Sequence, residues 1–233
     1  MENLISSVIG TLCAEIITLP ICTIKTVYQN NTNLGINQTI SKIYKESGYR
    51  GFVQAYTPAI ISQVVSTSSK YYFYQLIKSH RKTEKSDILN NSLNGMVGGI
   101  LGSFFSHPVD VWKNYLQRNE RFPFGNPKVY YQGYSASIYK TSVLYASLFP
   151  LHDYYTNKFD IPIIPSVCTT LTVSIIIQPF DYYKTIKMAG NKPEKWYKIT
   201  NWYRGFSLML ARSIPHFVIT MGITDLIKEK IKN

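Results

Sequence analysis

One six-residue frame recurs three times along the chain and constrains its architecture more than any other feature. Pro20-Ile21-Cys22-Thr23-Ile24-Lys25, Pro108-Val109-Asp110-Val111-Trp112-Lys113 and Pro179-Phe180-Asp181-Tyr182-Tyr183-Lys184 share a proline and a lysine five residues later. The second and third copies place Asp110 and Asp181 between them, where the first has Cys22. Each frame follows an apolar stretch. Each is followed, after a polar loop, by a second landmark: Tyr49-Arg50-Gly51, Tyr131-Gln132-Gly133 and Tyr203-Arg204-Gly205. The proline-to-glycine separations are 31, 25 and 26 residues. Another apolar segment follows each glycine and ends near Gln75, Asp153 and Asp225, at 24, 20 and 20 residues. Self-similarity at a fixed period marks a repeat architecture. The chain therefore divides into units near 1–87, 88–160 and 161–233, with about one extra helical turn in the first.

A finer echo supports this division. Ser7, Gly95 and Ser166 stand thirteen residues before the motif prolines, and Thr11, Gly99 and Thr170 stand nine before them. Small residues four apart form a smooth stripe on which membrane helices pack closely. The pattern predicts six helices near 4–29, 54–79, 92–118, 134–158, 162–189 and 206–231, with a short amphipathic piece from Ile36 to Glu46. Proline inside a helix removes a backbone hydrogen bond and kinks it, so Pro20, Pro108 and Pro179 are expected to swing the odd helices inward.

Charge is segregated along the chain in a way that suits a membrane. No Asp, Glu, Lys or Arg occurs over 51–69, 88–109 or 161–180, gaps of 19, 22 and 20 residues. A spanning helix needs roughly 20 mostly apolar residues. The alternative, buried helices of a soluble protein, fits three such gaps in 233 residues poorly. The net charge of +12 favours anionic partners: nucleic acid, an acidic membrane surface or a negatively charged substrate. No zinc, RNA-recognition or helix-turn-helix signature accompanies it, so nucleic acid is not expected. Cys13, Cys22 and Cys168 are scattered, as are the four histidines. No metal or cofactor is expected. A membrane-embedded enzyme is disfavoured too, because no nucleophile elbow, phosphate-cradling glycine loop or acid–histidine cluster occurs.

Three proline–lysine frames, two of them carrying an acid, each followed 25–31 residues later by Tyr-Arg-Gly or Tyr-Gln-Gly, resemble the Pro-x-acid-x-x-base and aromatic-base-glycine pattern of the mitochondrial carrier family over essentially the whole chain. The resemblance implies an all-α membrane protein: six transmembrane helices in three pseudo-symmetric pairs around a central cavity, exchanging anions across the mitochondrial inner membrane by alternating access. It also implies a monomer in contact with membrane lipid such as cardiolipin. By the same resemblance, the motif charges form a matrix gate: Lys25 with Asp110, Lys113 with Asp181, and Lys184 facing the uncharged Cys22. Gln29 and Gln117 are the implied gate braces, with Met188 in the third place. The implied cytoplasmic gate comprises Gln75, Lys78, Asp153, Asp225 and Lys228, with Thr156 unable to pair ionically with Asp225. Without the repetition, Asp110/Lys113 and Asp181/Lys184 are ordinary i,i+3 pairs worth roughly 0.2–0.5 kcal/mol each.

The family's contact points fall on Arg212, on Lys140 and Thr141, and on Ser62 and Gln63. Ions at membrane depth are functional by default, and two cations facing one cavity suit phosphate or carboxylate. The expected cargo is an anionic nucleotide, deoxynucleotides included, and Tyr-Gln-Gly-Tyr at 131–134 is similar to adenine nucleotide carriers. A carboxylate or keto-acid carrier is the alternative, because Lys140-Thr141 replaces the small aliphatic pair that favours adenine. Tyr145 stands about one turn beyond Thr141, where it has the reach to stack on a base, but packing is its expected role in a chain with 19 tyrosines.

Overall fold

The apolar stretches that carry the motif prolines fold as long helices, and the polar loops between them terminate those helices by specific backbone devices. The computed structural model describes residues 2–81, 88–159, 163–192 and 199–232. The helices, in order, are α1 (Glu2–Asn30), α2 (Ile36–Ser47), α3 (Tyr56–Arg81), α4 (Ile88–Gln117), α5 (Pro127–Tyr130), α6 (Tyr134–Lys158), α7 (Ile163–Met188), α8 (Ile199–Trp202) and α9 (Phe206–Lys232). The described residues contain no strand. Pro20, Pro108 and Pro179 lie inside continuous helices α1, α4 and α7. Pro150 and Pro215 do the same in α6 and α9.

Helices α4 and α7 end alike. Asn119 and Gly190 take left-handed φ values of 59° and 77°. The next amide then reaches back five residues, from Glu120 to the Tyr115 carbonyl at 3.0 Å and from Asn191 to the Ile186 carbonyl at 3.1 Å. This closure satisfies carbonyls that a helix end otherwise leaves open. The landmark glycines Gly133 and Gly205 are also left-handed, at 76° and 81°. Gly51 is not among the positive-φ residues, which matches the longer and displaced first repeat.

The six long helices pack in chain order, α1 on α3, α3 on α4, α4 on α6, α6 on α7 and α7 on α9, and α9 returns to α1. The small-residue stripe of α4 explains two of these contacts. A Cβ on Gly98 or Gly102 would fall 2.9 Å or 2.6 Å from the α3 backbone at Tyr74 or Lys70. On the adjacent face, a Cβ on Gly95 or Gly99 would collide with the Tyr145 ring of α6 at 2.7 Å or 2.4 Å. Tyr145 is therefore spent on helix packing.

Polarity is inverted relative to a water-soluble bundle. Glu15, Thr18, Thr23, Gln29, Asn94, His107, Thr169 and Gln178 are all at most 2% exposed. Ile17, Leu101, Phe104, Phe105, Leu171, Ile175, Ile214 and Val218 lie on the outside, each more than 40% exposed. Apolar surface facing outward and polar side chains facing one another is the arrangement a lipid environment selects. Two segments, Val8–Asn30 and Ile164–Met188, are by length and composition apolar enough to cross a membrane.

Candidate functional site

The motif lysines, the motif aspartates and the contact residues of the even helices meet around one polar cavity of about 260 Å³. Its lining includes Lys25, Ser62, Gln63, Asp110, Lys113, Lys140, Asp181, Lys184 and Arg212. Gln117 and Cys22 complete the motif end. Thr141 is buried against α4, where its methyl lies 2.8 Å from a Cβ built on Gly99.

Three carboxylates organise these groups, and each uses both oxygens in the same way. Asp181 accepts from Lys25 on one oxygen and from Lys140 on the other. Asp110 accepts from Lys184 at 3.1 Å and from the Ser62 hydroxyl. Glu15 accepts from Lys113 and, at 2.6 Å, from Arg212. Each acid thus joins the motif lysine of the following repeat to the contact residue of the preceding one. The rule holds around all three sectors. Lys70, on α3, adds a further cation within electrostatic reach of Asp110, Lys184 and Lys140.

This pairing corrects the expected one. Lys25 meets Asp181, not Asp110; Lys184 meets Asp110; and it is Lys113, not Lys184, that belongs opposite Cys22. The reason is geometric. An acid and a lysine three residues apart on one helix point toward opposite neighbours, and the hand of the ring decides which neighbour each receives. Residue spacing does not carry that hand. The sequence reading also missed Glu15. It stands seven residues before Cys22, nearly the same helical face and about 10 Å along the axis. The signal was present: Glu15 is the only acidic residue between Glu2 and Glu46, in the middle of an apolar helix.

The Tyr-x-Gly landmarks have a physical role that follows the same cyclic order. Arg204 donates to the carbonyls of Tyr28, Asn31 and Leu34 at 2.8, 2.7 and 2.5 Å and lies 3.7 Å over the Tyr28 ring. It caps the end of α1 with a positive charge, where the helix dipole favours one. Gln132 donates to Met188 at the end of α7, at 3.4 Å. In the first repeat Gln54 takes this role, donating to Leu116 at the end of α4, and Arg50 is exposed. The residue before two of the motif prolines ties back to the same loops. Gln178 donates to the Arg204 carbonyl at 3.0 Å. The His107 Nε2 lies 3.0 Å from the Gln132 carbonyl, which only accepts. His107 Nδ1 therefore accepts from Ser137, 3.1 Å away.

The implied braces Gln29 and Gln117 each make an inter-repeat hydrogen bond. Gln29 donates to the Arg204 carbonyl at 3.1 Å, and Gln117 accepts from Thr26 at 2.8 Å. At the opposite end, Lys78 lies over Tyr74 at 5.8 Å, Asp153 accepts from Asn157 at 3.2 Å, and Gln75 donates to Tyr71 at 2.9 Å. Lys78 and Asp153 are not brought together. The side chains of Asp225 and Lys228 lie outside the described residues. Among the described residues, every ion pair joining two of the six long helices belongs to the Glu15, Asp110 and Asp181 cluster.

Comparison with known proteins assigns the class. Residues 1–85 match the family model of the mitochondrial carrier protein. The chain is 39% identical over 235 aligned residues to a mitochondrial carrier-like protein of Acanthamoeba polyphaga mimivirus, covering 98% of this chain and 96% of that one. It is 29% identical over 107 residues to the mitochondrial carrier protein CoAc1 of Arabidopsis thaliana, covering 44% of this chain and 32% of the relative. It is 28% identical over 144 residues to the mitochondrial substrate carrier family protein ucpA of Dictyostelium discoideum, covering 57% and 46%. The protein is a transporter, and it belongs to the mitochondrial carrier family.

Proposed function

We propose that this chain exchanges anionic nucleotides, deoxynucleotides included, across the mitochondrial inner membrane by alternating access. In this reading all six long helices cross the membrane as three pseudo-symmetric pairs, and the cavity between them holds the cargo. The residence is the host mitochondrion if, like its mimivirus relative, the chain is viral. The carrying observation is the charge of the cavity. Lys25, Lys113, Lys140, Lys184 and Arg212 face Asp110, Asp181 and Glu15. Five cations against three carboxylates leave a net charge of +2, before Lys70 is added. Charge at membrane depth is costly unless matched, so an anion of two or more charges is the species that completes the site. Ser62, Gln63, Ser66, Thr26, Asn114 and Thr185 supply hydroxyls and amides between the ions, suited to a sugar and a base edge.

The ion-paired motif end corresponds to a closed matrix gate, formed by Lys25, Lys113 and Lys184 with their three acids. Among the described residues Lys78 and Asp153 make no ion pair, which in this reading corresponds to an open cytoplasmic gate. Each network forms only when its end closes, and cargo binding offsets the cost of opening it. Cardiolipin in contact with the outer helices and a monomeric state belong to the same proposal.

A specific observation favours the second reading, a carboxylate or keto-acid carrier. No aromatic ring lines the cavity among the described residues: Tyr145 packs on Gly95 and Gly99, and Tyr134 donates to the Ile100 carbonyl at 3.0 Å. Proteoliposomes loaded with nucleoside mono-, di- and triphosphates, or with dicarboxylates and keto acids, separate the two. Exchange of labelled nucleotide that unlabelled nucleotides inhibit and dicarboxylates do not is expected. The converse pattern selects the carboxylate reading.

A further inference from the structure

Glu15 occupies a position the repeat does not explain. The counterparts five residues before the other motif prolines are Ser103 and Ser174, both small, buried and uncharged. Its carboxylate is 1% exposed and held by two cations from two different helices, Lys113 of α4 and Arg212 of α9. In the Asp181 and Asp110 sectors the acid stands inside the Pro-x-Asp-x-x-Lys frame. In the Glu15 sector that place is taken by Cys22, which is buried and lines the cavity near Lys113. The acid has moved two turns along α1, about 10 Å, to the level of Arg212, the one arginine among the cavity's cations.

We infer that Glu15 is an internal competing anion that sets the charge requirement of transport. This rests on the reading of the chain as an anion carrier. Arg212 is the group best built to hold phosphate or carboxylate bidentately, and in this structure Glu15 holds it. Glu15 holds only the Nη2 of Arg212, and the Nε has no hydrogen-bond partner among the described residues. An arriving anion that takes Arg212 bidentately therefore competes with Glu15 for Nη2, and a Glu15 pulled away by that competition weakens its hold on Lys113 through its other oxygen. Binding therefore opens the Lys113 sector directly, at the contact residue itself. It also carries a penalty. A buried carboxylate deprived of its partner is costly. A cargo with one negative charge replaces one anion by another and gains little. A cargo with several charges engages Lys140 and the neighbouring cations too, and so offsets the loss of Glu15. In the Asp181 sector the acid stays within the motif frame and reaches Lys140 with its second oxygen.

The test is the exchange kinetics of wild type, Glu15→Gln and Glu15→Gln/Cys22→Asp, measured with nucleoside mono- and triphosphates in proteoliposomes. Glu15→Gln frees Arg212 and removes the partner of Lys113. The expected result is a KM lowered about tenfold, a kcat lowered by a similar factor, and a reduced preference for triphosphate over monophosphate. The double variant returns a carboxylate to the motif position opposite Lys113. It is expected to recover kcat while keeping the low KM and the relaxed charge preference. A structural role for Glu15 alone predicts loss of activity in the single variant without that split. Wild-type exchange with KM and charge preference unmoved in both variants overturns the inference and leaves the carrier reading standing. Absence of exchange by wild type for every nucleotide and carboxylate overturns the carrier reading itself. If the single variant does not fold, the double variant decides the matter on KM and charge preference.

Discussion

Cys22 and Glu15 are a pair of residues whose meaning depends on each other. A chain that lost the motif acid at position 22 without compensation would leave Lys113 buried and unpaired, a cost of several kcal/mol for an ion in a low-dielectric site. Glu15 removes that cost. Restoring an aspartate by Cys22→Asp places a second carboxylate beside Lys113 and releases Glu15 to Arg212. The motif end is then held by three bridges at one depth. The expected outcome is a higher thermal midpoint in detergent and a slower exchange rate, with the matrix-closed state favoured. An unchanged midpoint together with unchanged exchange kinetics would count against the gate. Ser62 shows the converse economy. Its hydroxyl occupies the contact position of the first repeat and bonds Asp110, so the threefold bonding pattern survives with one contact residue uncharged.

At the scale of the elements, close packing is concentrated on α4. Gly98 and Gly102 admit the α3 backbone, and Gly95 and Gly99 admit the Tyr145 ring of α6. The two faces differ in what can yield. A methyl on Gly102 meets Lys70 backbone atoms at 2.6 and 2.7 Å, which no side-chain rotation relieves. Gly102→Ala is expected to destabilise by about 1–3 kcal/mol, the usual cost of overpacking. Gly125→Ala, where nothing lies within 4 Å of the new atom, is the control and should leave thermal stability unmoved. Equal melting behaviour of the two variants would show that α3 and α4 are not packed this closely. The helices themselves were legible in the sequence to within a few residues at nearly every end. The polar loops mark the helix ends, and two of the three landmark glycines, Gly133 and Gly205, take a left-handed φ. The site was legible as a set of residues and not as a set of bonds. Lys25, Lys113, Lys184, Asp110 and Asp181 were named from their frame, but which acid each lysine meets follows from the hand of the ring, and that is a property of the folded assembly. Glu15 lies outside the motif frame, and its signal in the sequence is that of a lone acid inside an apolar helix. Tyr145 illustrates a residue whose bland role, packing, is the one the structure shows.

Taken as a whole, the molecule couples its three sectors through one cyclic rule. Each acid joins the lysine ahead of it to the contact residue behind it, and each landmark loop caps the motif helix ahead of it. No sector closes alone, because every carboxylate is shared between two neighbouring helices. In the proposed mechanism the same groups hold the motif end shut and receive the cargo. In the proposed carrier, a cavity with net positive charge, lined by carboxylates that compete with an anion, would account for exchange in place of leak. Under that mechanism, reorientation of the empty, fully ion-paired cavity is slow and that of the anion-filled cavity is fast. Labelled nucleoside triphosphate uptake into proteoliposomes, with and without the same nucleotide inside, for wild type, Lys140→Ala and Arg212→Ala, tests this most directly. The account predicts saturable uptake by wild type that rises at least about tenfold with internal nucleotide and falls at least about tenfold in either variant, with all three proteins inserted equally. Uptake that is indifferent to internal nucleotide, or that survives both substitutions, would contradict it.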